Sequence, residues 1–175
     1  MFYTHSYSSP LGELTLAASD QVLTGLWFVG QKYYADTIKG DHEEKSLPIF
    51  DQTADWLDIY FSGREPGFMP PLSLNGSPFQ MAVWEILREI PYGRTMTYGE
   101  IAARIAGQRG IVRMSAQAVG GAVGHNPVSI IVPCHRVVGA NGSLTGYAGG
   151  TDRKAELLKL EQADRSGLFI PQNGR

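Results

Sequence analysis

The chain is poor in several features that would fix its chemistry at a glance. Of 175 residues, one is cysteine. A lone cysteine excludes an intramolecular disulfide and fits a reducing compartment, so a cytoplasmic protein is expected. That thiol and four scattered histidines do not make a Cys-rich zinc site, and no metal centre is expected. The start carries no basic, apolar, small-residue signal segment, and no long apolar run occurs, so neither export nor membrane insertion is indicated. No repeat, low-complexity tract or nucleotide-binding motif is visible, and no cofactor is implied. Excess charge is also small, with a formal net value of −2.

The distribution of that charge says more than the total. Residues 1–76 hold four Lys/Arg against ten Asp/Glu, giving −6, and residues 77–175 hold eleven against seven, giving +4. A basic half beside an acidic half suits a protein that meets a polyanion on one side.

The length allows two small domains. Residues 2–29 read as a β-meander. Leu14, Leu16 and Ala18 alternate with Glu13, Thr15 and Ala17, and Leu11-Gly12 and Asp20-Gln21 mark turns. Gln31 to Lys45 is polar and expected to be irregular or weakly helical. Leu47-Pro48 opens a helix carrying Phe50, Ala54, Leu57 and Phe61 at helical spacing. Arg64 to Gly76, with three prolines and two glycines, reads as a linker with a short strand at Leu72-Leu74. Ser77-Pro78 caps the next helix, which Pro91 ends. Thr97-x-x-Glu100 is a capping box for a helix from Tyr98 to Ile105, ending near Gly107. Ser115 caps a fourth, Ala116 to Val123, and the last two suggest a helix-turn-helix. Asn141-Gly142 marks a tight turn, and Thr151 or Asp152 begins a last helix with Leu157, Leu158 and Glu161.

The stretch that concentrates the chemistry is Ile130-Ile131-Val132-Pro133-Cys134-His135-Arg136. Three β-branched residues read as a short buried strand that Pro133 stops. Cys134 is then displayed at the end of a rigid element. A thiol reacts as thiolate, and a neighbouring imidazole or guanidinium favours that form, so His135 and Arg136 predict a depressed Cys134 pKa. The helix at Ala116 to Val123 is nearly bare, with Ala116, Ala118, Gly120, Gly121 and Ala122. Small residues suit a packed internal helix and equally a helix lying close against a minor groove, where long base-reading side chains are not needed.

Pro133-Cys134-His135-Arg136, with Asn126-Pro127 before it, Gly146-Tyr147 after it, Thr97-Tyr98-Gly99-Glu100 and Ala116-Gln117-Ala118-Val119-Gly120-Gly121, resembles the O6-alkylguanine-DNA alkyltransferases. The resemblance runs from about Pro78 to Glu161 and is weaker toward the N-terminus. It implies an α+β protein in two domains. Residues 1–76 would form a ribonuclease H-like supporting domain with its linker, and residues 77–175 a winged-helix-like helix-turn-helix domain for DNA binding and alkyl transfer. It implies single, irreversible transfer of an alkyl group from O6-alkylguanine, with O4-alkylthymine as a second candidate substrate, in double-stranded DNA to Cys134, by a monomer bound through the minor groove. Chemistry on a base inside a duplex requires flipping it out.

The same resemblance implies roles. His135 takes the thiol proton through a water, and Glu161 orients His135. Tyr98 donates a proton or hydrogen bond to the purine. Asn126 braces the turn before Cys134, Val132 and Val137 offer backbone contacts, and Tyr147 and Ala148 line the base pocket. Arg113, Gln117, Ala118, Gly120 and Arg136 would form the DNA contact, with Arg136 more a brace than a reactant. The family places an arginine where this chain has Gln117, which can fill the gap left by a flipped base but carries no charge. Two other readings stand beside this one: a cysteine-dependent hydrolase using Cys134 and His135, or His125, and a non-catalytic alkyltransferase-like binder of damaged DNA.

Overall fold

The computed structural model describes residues 1–172. The chain divides into two compact units. One is Met1–Asn75 together with Pro127–Ile131, and the other is Gly76–Asn126 together with the chain from Val132 onward. The division falls close to the linker read from sequence, with one difference: five residues from the C-terminal half belong to the first unit.

In the first unit the alternation of residues 2–29 becomes three antiparallel strands, β1 (Phe2–Ser9), β2 (Gly12–Ser19) and β3 (Val22–Phe28). Asp20 turns the second hairpin at φ +60, a conformation Asp tolerates better than most residues. A short strand β4 (His42–Glu44) lies parallel to β1, so the order is β3-β2-β1-β4. The stretch expected to be irregular or weakly helical thus supplies an edge strand and no helix. Helix α1 (Pro48–Phe61) opens on a proline, whose missing N–H would have been an orphan at that position. Its buried residues Ile49, Phe50, Thr53, Trp56, Leu57 and Tyr60 recur at helical spacing, and Leu14, Leu16, Leu26 and Phe28 of the sheet are fully buried.

The outer edge of β3 is covered rather than exposed. Leu23 exchanges main-chain bonds with the Leu72 segment, donating to Pro71 O at 2.8 Å and accepting from Ser73 N at 2.9 Å. Leu26 does the same with the Val128 segment, through Pro127 O at 2.8 Å and Ser129 N at 2.9 Å. Capping an edge strand in this way removes a template for aggregation.

The second unit holds helices α2 (Pro78–Arg88), α3 (Tyr98–Arg109) and α4 (Ala116–Gly124), a parallel pair of two-residue strands β5 (Met96–Thr97) and β6 (Val137–Val138), and helix α5 (Thr151–Leu160). This is the winged-helix-like arrangement. Ser77 with Gln80 and Thr97 with Glu100 both close capping boxes. Helix α3 runs to Arg109, two residues past Gly107, near which the sequence reading ends it. Gly107 is tolerated within it, and the left-handed cap comes from Gly110 at φ +65. Trp84 Nε1 donates to Ala122 O at 2.9 Å, tying α2 to α4.

The strand expected at Ile130–Val132 does not form. These residues are buried but make a succession of tight turns, with Ile131 N donating to Ser129 O and Cys134 N to Val132 O, each at 2.8 Å. Ile130 sits at φ +70, rare for a β-branched residue and incompatible with a ladder. Pro127 and Pro133 remove the donors at either end. An apolar run signals burial, and here burial comes without extended pairing.

The C-terminal segment is tied to the turn at Asn141-Gly142. Leu144 N donates to Phe169 O and Phe169 N to Gly142 O, each at 3.0 Å. Leu168 packs on a small core of Val138, Leu144, Leu158 and Ala163. Gly142 adopts φ +93, and a Cβ there would stand 2.0 Å from Gly167 O. Gly142→Ala therefore combines a strained conformation, worth roughly 1–3 kcal/mol, with a backbone clash. A lowered urea midpoint is expected, and an unchanged one would mean that the tail gives way freely.

Candidate active site

Cys134, His135 and Arg136 form a single 3-10 turn, with Val137 N–H closing it onto Cys134 O. All three are buried, with His135 fully so. The turn resolves a problem of extended chain, where adjacent side chains point oppositely. It directs His135 and Arg136 onto one partner from the far end of the sequence, Glu161, which caps the C-terminus of α5.

Glu161 is saturated. Its Oε1 accepts from Arg136 Nε at 2.9 Å and from Gly93 N at 3.0 Å, and its Oε2 lies 2.6 Å from His135 Nε2 and 3.1 Å from Arg136 Nη2. Burial alone would raise its pKa. The hydrogen bonds of His135 and Arg136 and the Arg136 charge outweigh that and hold the carboxyl well below the usual range. An ionised carboxylate accepts only, so His135 Nε2 carries the proton in the shared bond. Burial lowers the His135 pKa despite the carboxylate beside it, so the ring is neutral at pH 7 and its basic lone pair is on Nδ1.

Arg136 has no reach to spare. Beyond Glu161 it donates from Nη1 to Ile90 O at 2.7 Å and lies over the Tyr92 ring. The expected DNA contact by Arg136 is therefore corrected: its guanidinium is buried and committed within the unit, as a brace.

Cys134 also departs from expectation. Burial pushes its thiol pKa up, the reverse of the depression expected from His135 and Arg136. The influences that favour the thiolate are a hydrogen bond from the Asn126 side chain and the charge of Lys154, together with main-chain donors of Cys134 and His135. Arg136 is spent on Glu161, and His135 is neutral. Asn126 is buried and donates from Nδ2 to Val132 O at 2.8 Å, so it bridges the two points where the chain leaves and re-enters this unit.

The pocket residues sort differently from one another. The Val132 carbonyl accepts from both Asn126 Nδ2 and Cys134 N, which uses its two lone pairs. The Val137 amide is spent on Cys134 O. These two main-chain groups are thus taken by the turn itself. Tyr147 is buried with its ring edge-on to His135 at 6.5 Å, and Ala148 is half-buried. Tyr98 donates from its hydroxyl to Thr145 O at 2.9 Å. Burial and the nearby Cys134 charge raise the phenol well above its ordinary pKa, so it can donate a hydrogen bond but gives up its proton reluctantly.

Helix α4 has one packed and one bare face. Val119, Ala122 and Val123 are buried, while Ala116, Gln117, Ala118 and Gly121 are exposed. The small residues therefore pack the helix on one side and leave a bare surface on the other. Arg113 is exposed in the loop before it, and Gly120 faces the Tyr98 ring, 3.9 Å from where a Cβ would stand. His125 Nδ1 lies 2.8 Å from Gly121 O at the helix end.

Sequence reasoning missed Lys154, the Thr145 carbonyl and the Gly93 amide. Main-chain groups leave no signature in residue type. Lys154 did: it stands at i of an i, i+3, i+4, i+7 series with Leu157, Leu158 and Glu161, a lysine on the buried stripe of α5. Among the described residues, no helix is long and apolar enough to cross a membrane and no group of His, Cys, Asp and Glu is arranged to hold a metal ion.

Comparison with known proteins gives matches over both units. Residues 78–163 match the family model of the 6-O-methylguanine DNA methyltransferase DNA binding domain, and residues 2–74 match that of the 6-O-methylguanine DNA methyltransferase ribonuclease-like domain. A methylated-DNA–protein-cysteine methyltransferase from Mycobacterium bovis is 46% identical over 163 residues, covering 93% of this chain and 94% of the relative. One from Haemophilus influenzae is 41% identical over 163 residues, covering 93% and 87%. The crystal structure of Mycobacterium tuberculosis OGT in complex with DNA superposes with a TM-score of 0.79 at 43% identity, covering 95% of this chain and 99% of that one.

Removing the Glu161 charge strands Arg136, and breaking a buried pair of this kind costs roughly 3–5 kcal/mol. Glu161→Gln should lower stability at pH 7 by that order. The folded carboxyl titrates below its unfolded value. Its contribution is therefore complete above about pH 4.3 and is lost as pH falls through the folded value. Urea titrations should show the gap between wild type and Glu161→Gln narrowing below about pH 4. A gap that widens on acidification would contradict the assignment.

Proposed function

The chain belongs to the 6-O-methylguanine DNA methyltransferase family, and from that premise we propose how its residues perform direct-reversal repair of alkylated DNA. The protein transfers an alkyl group from O6-alkylguanine in DNA to Cys134, once per chain. The observation that carries the assignment of roles is the saturated Glu161 carboxylate, which fixes a neutral His135 next to the chain's one thiol.

His135 Nδ1 takes the Cys134 proton through a bridging water. The thiolate then attacks the alkyl carbon from the side opposite O6. The S–C bond forms as the C–O6 bond breaks, and the electron pair passes to the purine. Tyr98 moves its hydrogen bond from Thr145 O to the base and stabilises that charge, and a proton equal to the one His135 accepted neutralises the purine. Asn126 holds the thiol through its amide, and Glu161 orients the imidazole, in the order nucleophile, base, orienter. The product is a thioether. It has no acyl carbon for water to attack and no second cysteine to exchange with, so the adduct persists.

The exposed face of α4 supports a partner read by shape. Ala116, Ala118 and Gly121 allow close approach to the minor groove, and Gln117 projects where a flipped base would leave a gap. Arg113 stands one turn upstream for a phosphate. Tyr147 and Ala148 line the base pocket. The first unit serves as support, and the protein works as a cytoplasmic monomer on double-stranded DNA.

Cys134→Ala should abolish transfer while duplex binding survives, because the bare face of α4 is separate from the thiol. With excess alkylated duplex, the wild type should reach a plateau at one repaired guanine per chain, with the mass gain on the Cys134 peptide. Steady repair beyond that plateau would indicate turnover and favour the hydrolase reading. Gln117→Ala should slow repair of duplex but not of alkylated free base, and equal loss on both would remove its gap-filling role.

A further inference from the structure

Lys154 is fully buried in α5. Its Nζ donates to Thr145 O at 3.1 Å and lies 5.7 Å from the centroid of the Tyr98 ring. Among the described residues it meets no carboxylate within ion-pair distance. A buried ammonium held by one neutral carbonyl is poorly compensated, and an apolar residue of that size would fill the same space without the desolvation penalty. Such a charge in a reaction site points to a negative charge that it is there to meet. The Glu161 carboxylate is saturated by other groups. The ionisable groups that face Lys154 are Cys134, His135 and Tyr98. His135 bears no negative charge in any protonation state here, and the Tyr98 hydroxyl keeps its proton on Thr145 O. Cys134 remains.

We propose that Lys154 is the counter-charge of the alkyl transfer, its buried ammonium balancing the Cys134 thiolate while its bond to Thr145 O positions the loop that also holds Tyr98. This rests on the reading of Cys134 as nucleophile. Lys154 keeps its proton throughout. It acts on the equilibrium in which Cys134 Sγ passes a proton to His135 Nδ1, in an enclosure where burial otherwise favours the thiol. The reciprocal influence is present as well: burial pulls the Lys154 pKa down to about 8, and the Cys134 charge pulls it back up. The one carbonyl shared by Lys154 and Tyr98 gives the lysine a second effect. When Tyr98 turns its hydroxyl to a base, Lys154 stays on Thr145 O and the loop does not follow.

The test is the pH dependence of Cys134 alkylation by iodoacetamide in full-length protein without DNA, comparing wild type, Lys154→Met and Lys154→Arg. The expected result for Lys154→Met is a midpoint raised by about one pH unit or more, equivalent to an approximately tenfold slower reaction at pH values below both midpoints. Lys154→Arg should recover part of the shift. A superimposable profile for folded Lys154→Met would overturn the proposal, since a lysine that only anchors Thr145 O would not move the midpoint. Should the methionine variant not fold, the wild type supplies the readout through an NMR titration of Lys154 Nζ with Cys134 free and with Cys134 methylated. A higher Lys154 midpoint with the free thiol supports the pairing, and equal midpoints overturn it. Failure of the family reading would show separately, as no methyl transfer from alkylated duplex with an unaltered thiol profile.

Discussion

The site depends on one buried carboxylate. Glu161 is inaccessible to water, and four donor contacts from His135, Arg136 and Gly93 replace what water would supply. Its donors come from two parts of the second unit: His135 and Arg136 from the turn that carries Cys134, and Gly93 from the loop after α2. A carboxylate in this state has no room for a proton and no capacity for another donor. It therefore does two things together. It anchors the turn through Arg136, and it dictates which nitrogen of His135 is left to act as a base. Stability and chemistry share the same four contacts, so neither can be altered alone.

Around this fixed point the electrostatics of the thiol differ from the simplest account. Two cationic neighbours in sequence suggest a thiolate stabilised from both sides. In the folded unit one of them is neutral and the other is engaged with Glu161. Desolvation then dominates and favours the protonated thiol in the resting site. A buried thiol kept largely protonated is protected from adventitious oxidation. Tyr98 follows the same logic, since burial makes it a retained hydrogen-bond donor.

Much of this was legible in the sequence. The β-meander followed from alternation in residues 13–18. The helix starts followed from Ser77, Thr97 and Ser115, because caps and capping boxes depend on a few local residues. The motif residues named Cys134, His135 and Glu161 through resemblance. Other features were hidden for physical reasons. The apolar run before Cys134 reports burial, and burial cannot separate a strand from consecutive turns; the left-handed Ile130 decides it. The engagement of Arg136 depends on a partner 25 residues away, which no local pattern shows. Lys154 was visible as a charged residue on an apolar helical stripe, but only the packed structure gives it neighbours.

The central claim is that Glu161 holds His135 as the neutral tautomer protonated at Nε2, leaving Nδ1 as the base for Cys134. A two-bond 1H–15N correlation spectrum of the imidazoles at pH 7 reads this directly. The account predicts that His135 shows a protonated Nε2 and a bare Nδ1, unchanged across the neutral range. An imidazolium at pH 7, or a neutral ring protonated at Nδ1, would contradict it.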